Sequence, residues 1–335
     1  MKIVVRIPNW IGDVLFALPA LESFKAALPE AEIWLAADPR VKDLFAAGEY
    51  ADRIVALPTL HKWKDLRAAA KTLEARRFDI GLLLTNSFSS ALLFAAARIP
   101  ERWGYRRDGR GLFLTKSVLG KVEDPPSHMV HFYLRLLEGL GLKTLPPEIK
   151  LPAPAEGQER ARKRLAALGA DLSKPLIILN PGAAFGPAKR WPASRFAALG
   201  RLLQERTNAA IAVTGAPEDA AAAEEIASAL TEKPIDLVGK TTLGELLGIT
   251  SLAAVFVTND TGPMHIANAL RVPVVGLFGP TDPRVTAPFH APATVIKKED
   301  VPCWPCSNRA CPFDHRCLLR ISAAEVFEAT AAYLP

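Results

Sequence analysis

The chain has no apolar run of the roughly 18 residues that a membrane span requires. It also shows no secretory leader. Lys2 and Arg6 resemble a charged start, but Asn9 and Asp13 interrupt the apolar stretch that would have to follow. These two observations predict a cytoplasmic protein. Cysteine is scarce, at four in 335 residues. In a reducing compartment those four are expected as thiols, metal ligands or redox groups, and not as structural disulfides. Charge is also unremarkable. A net +6 is too small an excess to argue for a nucleic-acid partner by itself. The loop Asn180–Pro192 holds no Gly-Lys-Ser/Thr and no GxGxxG, so it is neither a Walker loop nor a dinucleotide fingerprint. No internal repeat or low-complexity tract is present.

What remains is an ordinary globular composition, long enough for two domains. Half the residues are hydrophobic and 23% are charged, so sizeable cores can form. Lys2–Ile7 is a β-rich run, and further strand-like runs are 31–36, 53–57 and 80–84. Between them lie helical patterns, one opening with Val14, Ala17, Leu18, Leu21 and Phe24, another over 65–77. Strands alternating with helices predict a mostly parallel sheet covered on both faces. Pro146, Pro147, Pro152 and Pro154 mark a linker, and 156–168 reads as a charged helix. A second alternation follows, with strands at 176–180, 209–214, 235–238, 254–258 and 272–278. Its helices are 194–206, 217–230, 243–252 and 262–270. The expected domains are 1–155 and 172–320, with a final helix within 321–335 that crosses back to the first domain.

Three loops, each after a predicted strand, could carry chemistry. Asn180–Pro192 combines glycines, which allow close approach of backbone to a ligand, with Lys189 and Arg190 just before a helix. That combination suits a diphosphate, and a plain surface turn is the alternative. In Thr258–His265, Thr261 and Gly262 offer N–H groups at a helix start. Asp260 stands either as a helix cap or as a site residue beside His265. In Asn9–Asp13, Asp13 is either a helix cap or a general base. A carboxylate at a helix start is a stabilised, weakened base, so it would act late, on a hydroxyl already made acidic. The chain has no Asp-x-Asp, the pair with which metal-dependent sugar transferases often hold Mg²⁺ or Mn²⁺. With Lys189 and helix termini available, this suggests metal-independent departure of a leaving group.

Two other regions stand out. Six basic residues (Arg98, Arg102, Arg106, Arg107, Arg110, Lys116) lie between positions 98 and 116 against Glu101 and Asp108. They form either a solvated face or a patch for an anionic partner. Cys303, Cys306, Cys311 and Cys317, with His315 nearby, have spacings that permit a zinc or iron–sulfur site. Reduced thiols or a redox pair are the alternative.

Taken together, the motifs resemble the bacterial lipopolysaccharide heptosyltransferases of glycosyltransferase family 9, most of all the heptosyltransferase II branch. The resemblance rests on Trp10–Asp13, Asn86–Ala91, Ile99–Arg106, Pro181–Pro192, Thr258–Gly262 with His265, and Gly279–Pro283. It implies an α/β GT-B fold: two Rossmann-like, doubly wound parallel-sheet domains facing a central cleft. The first would hold the acceptor and the second the nucleotide sugar. The implied donor is ADP-heptose, transferred with inversion to a heptose or Kdo of the anionic inner core, at the cytoplasmic face of the inner membrane. No cofactor is implied. Asp13 matches the family's proposed base and Lys189 its diphosphate lysine. Asp260, Thr261, Gly262 and His265 match the donor loop, with Ala183 and Ala184 serving through their backbone. Glu218 and Thr241 are candidates for the nucleoside side. Asn86, Ser87, Arg102, Arg106 and Arg107 are expected on the acceptor, since arginine forks suit carboxylates and phosphates. The rival readings are a relative with another donor or acceptor, a nucleotide-sugar epimerase, and a non-catalytic binding module.

Overall fold

A computed structural model describes residues 1–45, 50–57, 60, 62–120 and 126–334. The chain divides into two compact units, Met1–Ile149 and Lys150–Pro335. The boundary falls inside the proline-marked linker.

The first unit contains β1 (Lys2–Arg6), α1 (Ile11–Ala27), β2 (Glu32–Ala37), β3 (Arg53–Ala56), α2 (Trp63–Glu74) and β4 (Ile80–Leu83). It continues with α3 (Phe88–Ala96), β5 (Glu101–Arg106), β6 (Lys116–Leu119) and α4 (Met129–Gly139). Its sheet has the order β3-β2-β1-β4-β5-β6, and the neighbours pair in parallel. Central strand β1 is buried over Ile3, Val4 and Val5. Such a continuous apolar run is what a parallel strand covered on both faces requires.

The second unit opens with α5 (Ala155–Ala167), β7 (Leu176–Asn180), α6 (Ala193–Arg206), β8 (Ala210–Val213), α7 (Ala220–Ala229), β9 (Ile235–Asp236) and α8 (Leu243–Thr250). Then come β10 (Val255–Asn259), α9 (Gly262–Ala269), β11 (Val274–Phe278), α10 (Pro283–Thr286), β12 (Ala293–Lys297), α11 (Arg316–Leu319) and α12 (Ala323–Ala331). Its parallel sheet runs β12-β11-β10-β7-β8-β9. Read in local order, this is the same 3-2-1-4-5-6 arrangement as the first sheet, the Rossmann order. Successive residues of β7 serve opposite faces. Ile177 and Leu179 join one core cluster with Trp191 and Phe196. Ile178 joins the other with Phe256 and Phe278.

The helix at 155–167 buries its Ala161 and Leu165 in the second unit's core. The final helix, expected to cross back to the first domain, buries Val326 and Phe327 in the second unit's own core.

Candidate functional site

In a doubly wound sheet, ligands bind outside the carboxyl ends of the strands where the strand order reverses. In the second unit that point lies between β7 and β10, which pair directly. Here the ends of the two strands are laced together. The Asn180 side-chain amide donates to Thr258 Oγ1 (2.8 Å). Asn259, fully buried, accepts the Trp191 N–H at 2.9 Å and donates to the carbonyls of Pro181 (2.8 Å) and Gly182 (3.3 Å). The Asn259 amide thus stands in for a backbone partner that the irregular loop 181–191 cannot supply itself. Trp191 closes the loop: its indole is buried and its N–H donates to Ile321 O (3.1 Å).

This lacing places Lys189 beside Asp260. The ammonium lies 2.5 Å from Asp260 Oδ2, with both side chains almost withdrawn from solvent (11% and 4% exposed). The same oxygen accepts from Thr281 Oγ1 (2.6 Å), with Thr286 Oγ1 further off at 3.4 Å. Asp260 is therefore not the helix cap that its position allowed. Thr261 occupies the N-cap of α9, and its side chain makes no capping bond. Gly262 opens the helix with Pro263 behind it, and His265 is buried in the first turn. A cation and a helix start with its positive dipole end stand together at the switch point, an arrangement suited to a phosphate anion.

The remaining donor candidates divide. Ala183 is buried and Ala184 exposed within the loop after β7. Glu218 is exposed on a 3₁₀ turn after β8. Thr241 immediately precedes Thr242, the capping residue of α8. Sequence reasoning passed over the neighbour of Glu218. Asp219 is buried, accepts the Ala216 N–H (2.9 Å) and lies 3.0 Å from Arg190 Nη2. It ties the loops after β7 and β8 together.

The cysteine segment bears on the same loop. Arg309 accepts the Ala188 N–H at its carbonyl (3.1 Å) and donates from Nε to Phe185 O (2.8 Å). Lys189 and Arg309 both lie over the Phe185 ring, at 5.0 and 5.6 Å. Gly186 sits so close to Arg309 that a Cβ there would lie 2.3 Å from its carbonyl oxygen. All four thiols line one small cavity of about 20 Å³ with Ala188 and Pro280, and burial raises the Cys317 thiol. Among the described residues, however, no three His, Cys, Asp or Glu side chains form a group that could hold a metal ion.

In the first unit the order reverses between β1 and β4. Asp13 follows β1 and Asn86 follows β4, so both candidates fall at the second switch point. Asp13 is not the cap of α1: Trp10 holds that position, and Asp13 lies in the first turn. It accepts a hydrogen bond from Tyr133. Burial and the Asp13 carboxylate hold that phenol well above its usual range. Buried Arg6 orders the loop between, donating to Ala36 O (2.9 Å) and Asn9 Oδ1 (3.0 Å). Burial lowers its pKa to about 10.

The basic stretch is mostly structural. Arg110 is fully buried and donates to the carbonyls of Tyr105 (2.7 Å) and Thr85 and, at 3.5 Å, to Asn86 Oδ1. Arg102 donates to the carbonyls of Phe113 (2.5 Å), Ile99 (2.6 Å) and Pro100 (3.0 Å). These bonds use Nε and Nη1 of the residue expected on the acceptor. Ser87 caps α3 through the Ser90 N–H (3.3 Å). Arg106 and Arg107 remain exposed.

A family model described as glycosyltransferase family 9 (heptosyltransferase) matches residues 66–316. Lipopolysaccharide heptosyltransferase 2 of Salmonella typhimurium is 32% identical over 310 residues, covering 89% of this chain and 88% of that protein. The solved structure of the Escherichia coli ADP-heptose LPS heptosyltransferase II superimposes with a TM-score of 0.84 at 28% identity, over 99% and 98% of the two chains. A family 9 glycosyl transferase from Veillonella parvula gives 0.86 at 25% identity, over 99% and 96%.

Proposed function

Because the chain belongs to glycosyltransferase family 9, with the two Rossmann-like units of the GT-B class, we propose that it transfers heptose from ADP-heptose to the lipopolysaccharide inner core. The acceptor sugar is a heptose or Kdo, and the anomeric configuration inverts. The observation that carries this reading is the Lys189 ammonium held beside the start of α9 at the switch point of the second unit.

In this mechanism the acceptor hydroxyl forms a bond to the anomeric carbon as the bond from that carbon to the ADP oxygen breaks. Asp13 takes the hydroxyl proton. Its place in the first turn of α1 and the hydrogen bond from Tyr133 both favour its charged form. Such a carboxylate suits a proton released late in bond formation. Lys189 and the N–H groups at Thr261 and Gly262 receive the charge that develops on the departing diphosphate. These groups are the chain's means of stabilising the leaving group without a metal ion. Ala183 and Ala184 offer backbone to the donor. His265, Glu218 and Thr241 complete its surroundings. Asn86, with exposed Arg106 and Arg107, faces the acidic acceptor, which the enzyme reaches from the cytoplasmic side of the inner membrane.

Asp13→Ala tests this division of labour. Transfer should fall by two orders of magnitude or more, about what a general base contributes, while ADP affinity measured by calorimetry stays within about twofold. Transfer near the wild-type rate would remove Asp13 from the mechanism.

A further inference from the structure

Asp260 is a buried carboxylate whose Oδ2 takes the Lys189 ammonium at 2.5 Å and the Thr281 hydroxyl at 2.6 Å. The second distance is that of a charge-assisted O–H···O⁻ bond. The ammonium has three N–H donors, and drawing it onto a diphosphate lengthens its contact with the carboxylate. When the lysine moves, Asp260 remains behind as a buried anion, and an unpaired buried charge is costly. The fold supplies a second donor to that oxygen. Thr281 comes from the loop after β11 and Thr286 from α10, so neither moves with the loop that carries Lys189. The buried Asn259 amide and Trp191 pin the ends of the Lys189 loop, which leaves the side chain as the moving part.

We propose that Thr281 is a positioning residue for the donor diphosphate. It holds Asp260 as an anion with a partner, so that Lys189 can pass from the carboxylate to the phosphates. The Lys189–Asp260 pair is then the closed state of a latch that a nucleoside diphosphate opens, and Thr281 sets how readily it opens. This inference rests on the donor-site reading above.

The test is calorimetric titration of the full chain with ADP. Thr281→Val should weaken ADP binding by about tenfold, and Thr281→Ser should restore it. Thr286→Val, which removes the longer 3.4 Å contact, should cost about twofold or less. The deciding comparison uses a Lys189→Met background, where no ammonium moves. There, adding Thr281→Val should leave ADP affinity unchanged. A merely structural role for Thr281 would lower affinity equally in both backgrounds, and that result overturns the proposal. An unchanged affinity in Thr281→Val alone also overturns it. If the valine variant does not fold, Thr281→Ala is read in the same two backgrounds. A wild-type chain that binds no ADP would instead overturn the donor-site reading itself.

Discussion

Gly182 and Asp219 are packed so closely that a Cβ at position 182 would lie 2.2 Å from Asp219 Oδ2. The loops after β7 and β8 therefore meet without room for a side chain. Asp219 in turn holds Arg190 at 3.0 Å, one residue beyond Lys189. Gly182→Ala must displace the carboxylate, and with it the anchor next to the donor lysine. ADP affinity is expected to drop about tenfold, measured by calorimetry, with a secondary-structure spectrum unchanged from wild type. Wild-type affinity in the variant would show that this packing does not set the lysine's position.

Arg110 separates from the exposed arginines of its own stretch. Arg110→Met leaves the Tyr105 and Thr85 carbonyls without their buried donor. A hydrogen bond to a charged group is worth about 1.5–3 kcal/mol, and denaturant unfolding should show a loss of at least that size. Arg106→Ser with Arg107→Ser should leave stability within about 0.5 kcal/mol and raise the KM for the acidic acceptor. The opposite pattern would mean that the stretch is a solvated face with no acceptor role.

Glu245 gives a pH-dependent stability. Its carboxylate accepts the Thr242 N–H (2.8 Å) and hydroxyl (3.0 Å) and pairs with Arg164. The Thr242 backbone bond is the largest of the causes that lower its pKa from 4.5. Because the folded value is depressed, its stabilising contribution is complete above the unfolded value near 4.5. The contribution fades as pH falls through the folded value below that. The group is partly exposed, so the effect is roughly 1 kcal/mol. Glu245→Gln should be less stable than wild type at pH 7, and the difference should shrink as the pH falls below 4.5. A difference that does not shrink in acid would assign the effect to packing and not to charge.

Much of the second unit was readable from the chain itself. The bounds 176–180 expected for β7 are those observed, and α9 starts at Gly262 as expected, because both elements are bounded by glycine or proline next to apolar runs. The first unit was less readable. Strand β5 mixes charged and aromatic residues with a glycine over Glu101–Arg106 and reads as part of a basic stretch and a motif, not as a strand. Strands β6 and β12 and helices α3 and α4 were not anticipated. The site was found through its loops, yet its internal bonds were not. Nothing local marks Thr281 as a partner of Asp260, 21 residues away, or Arg110 as a donor to Thr85, 25 residues away. Both aspartates looked like caps because a carboxylate before an apolar helix has that form. Trp10 and Thr261 hold the cap positions, and tertiary partners claim the carboxylates.

The most direct measurement is mass spectrometry of the glycolipid product after incubation with ADP-heptose and either a heptose-terminated or a Kdo-terminated inner-core acceptor. One of the two acceptors should gain a single heptose residue with wild-type protein, with ADP released in equal amount, and neither should gain it with Asp13→Ala. Turnover of ADP-heptose without mass gain on either acceptor, or no turnover by a chain that binds ADP, would contradict the account.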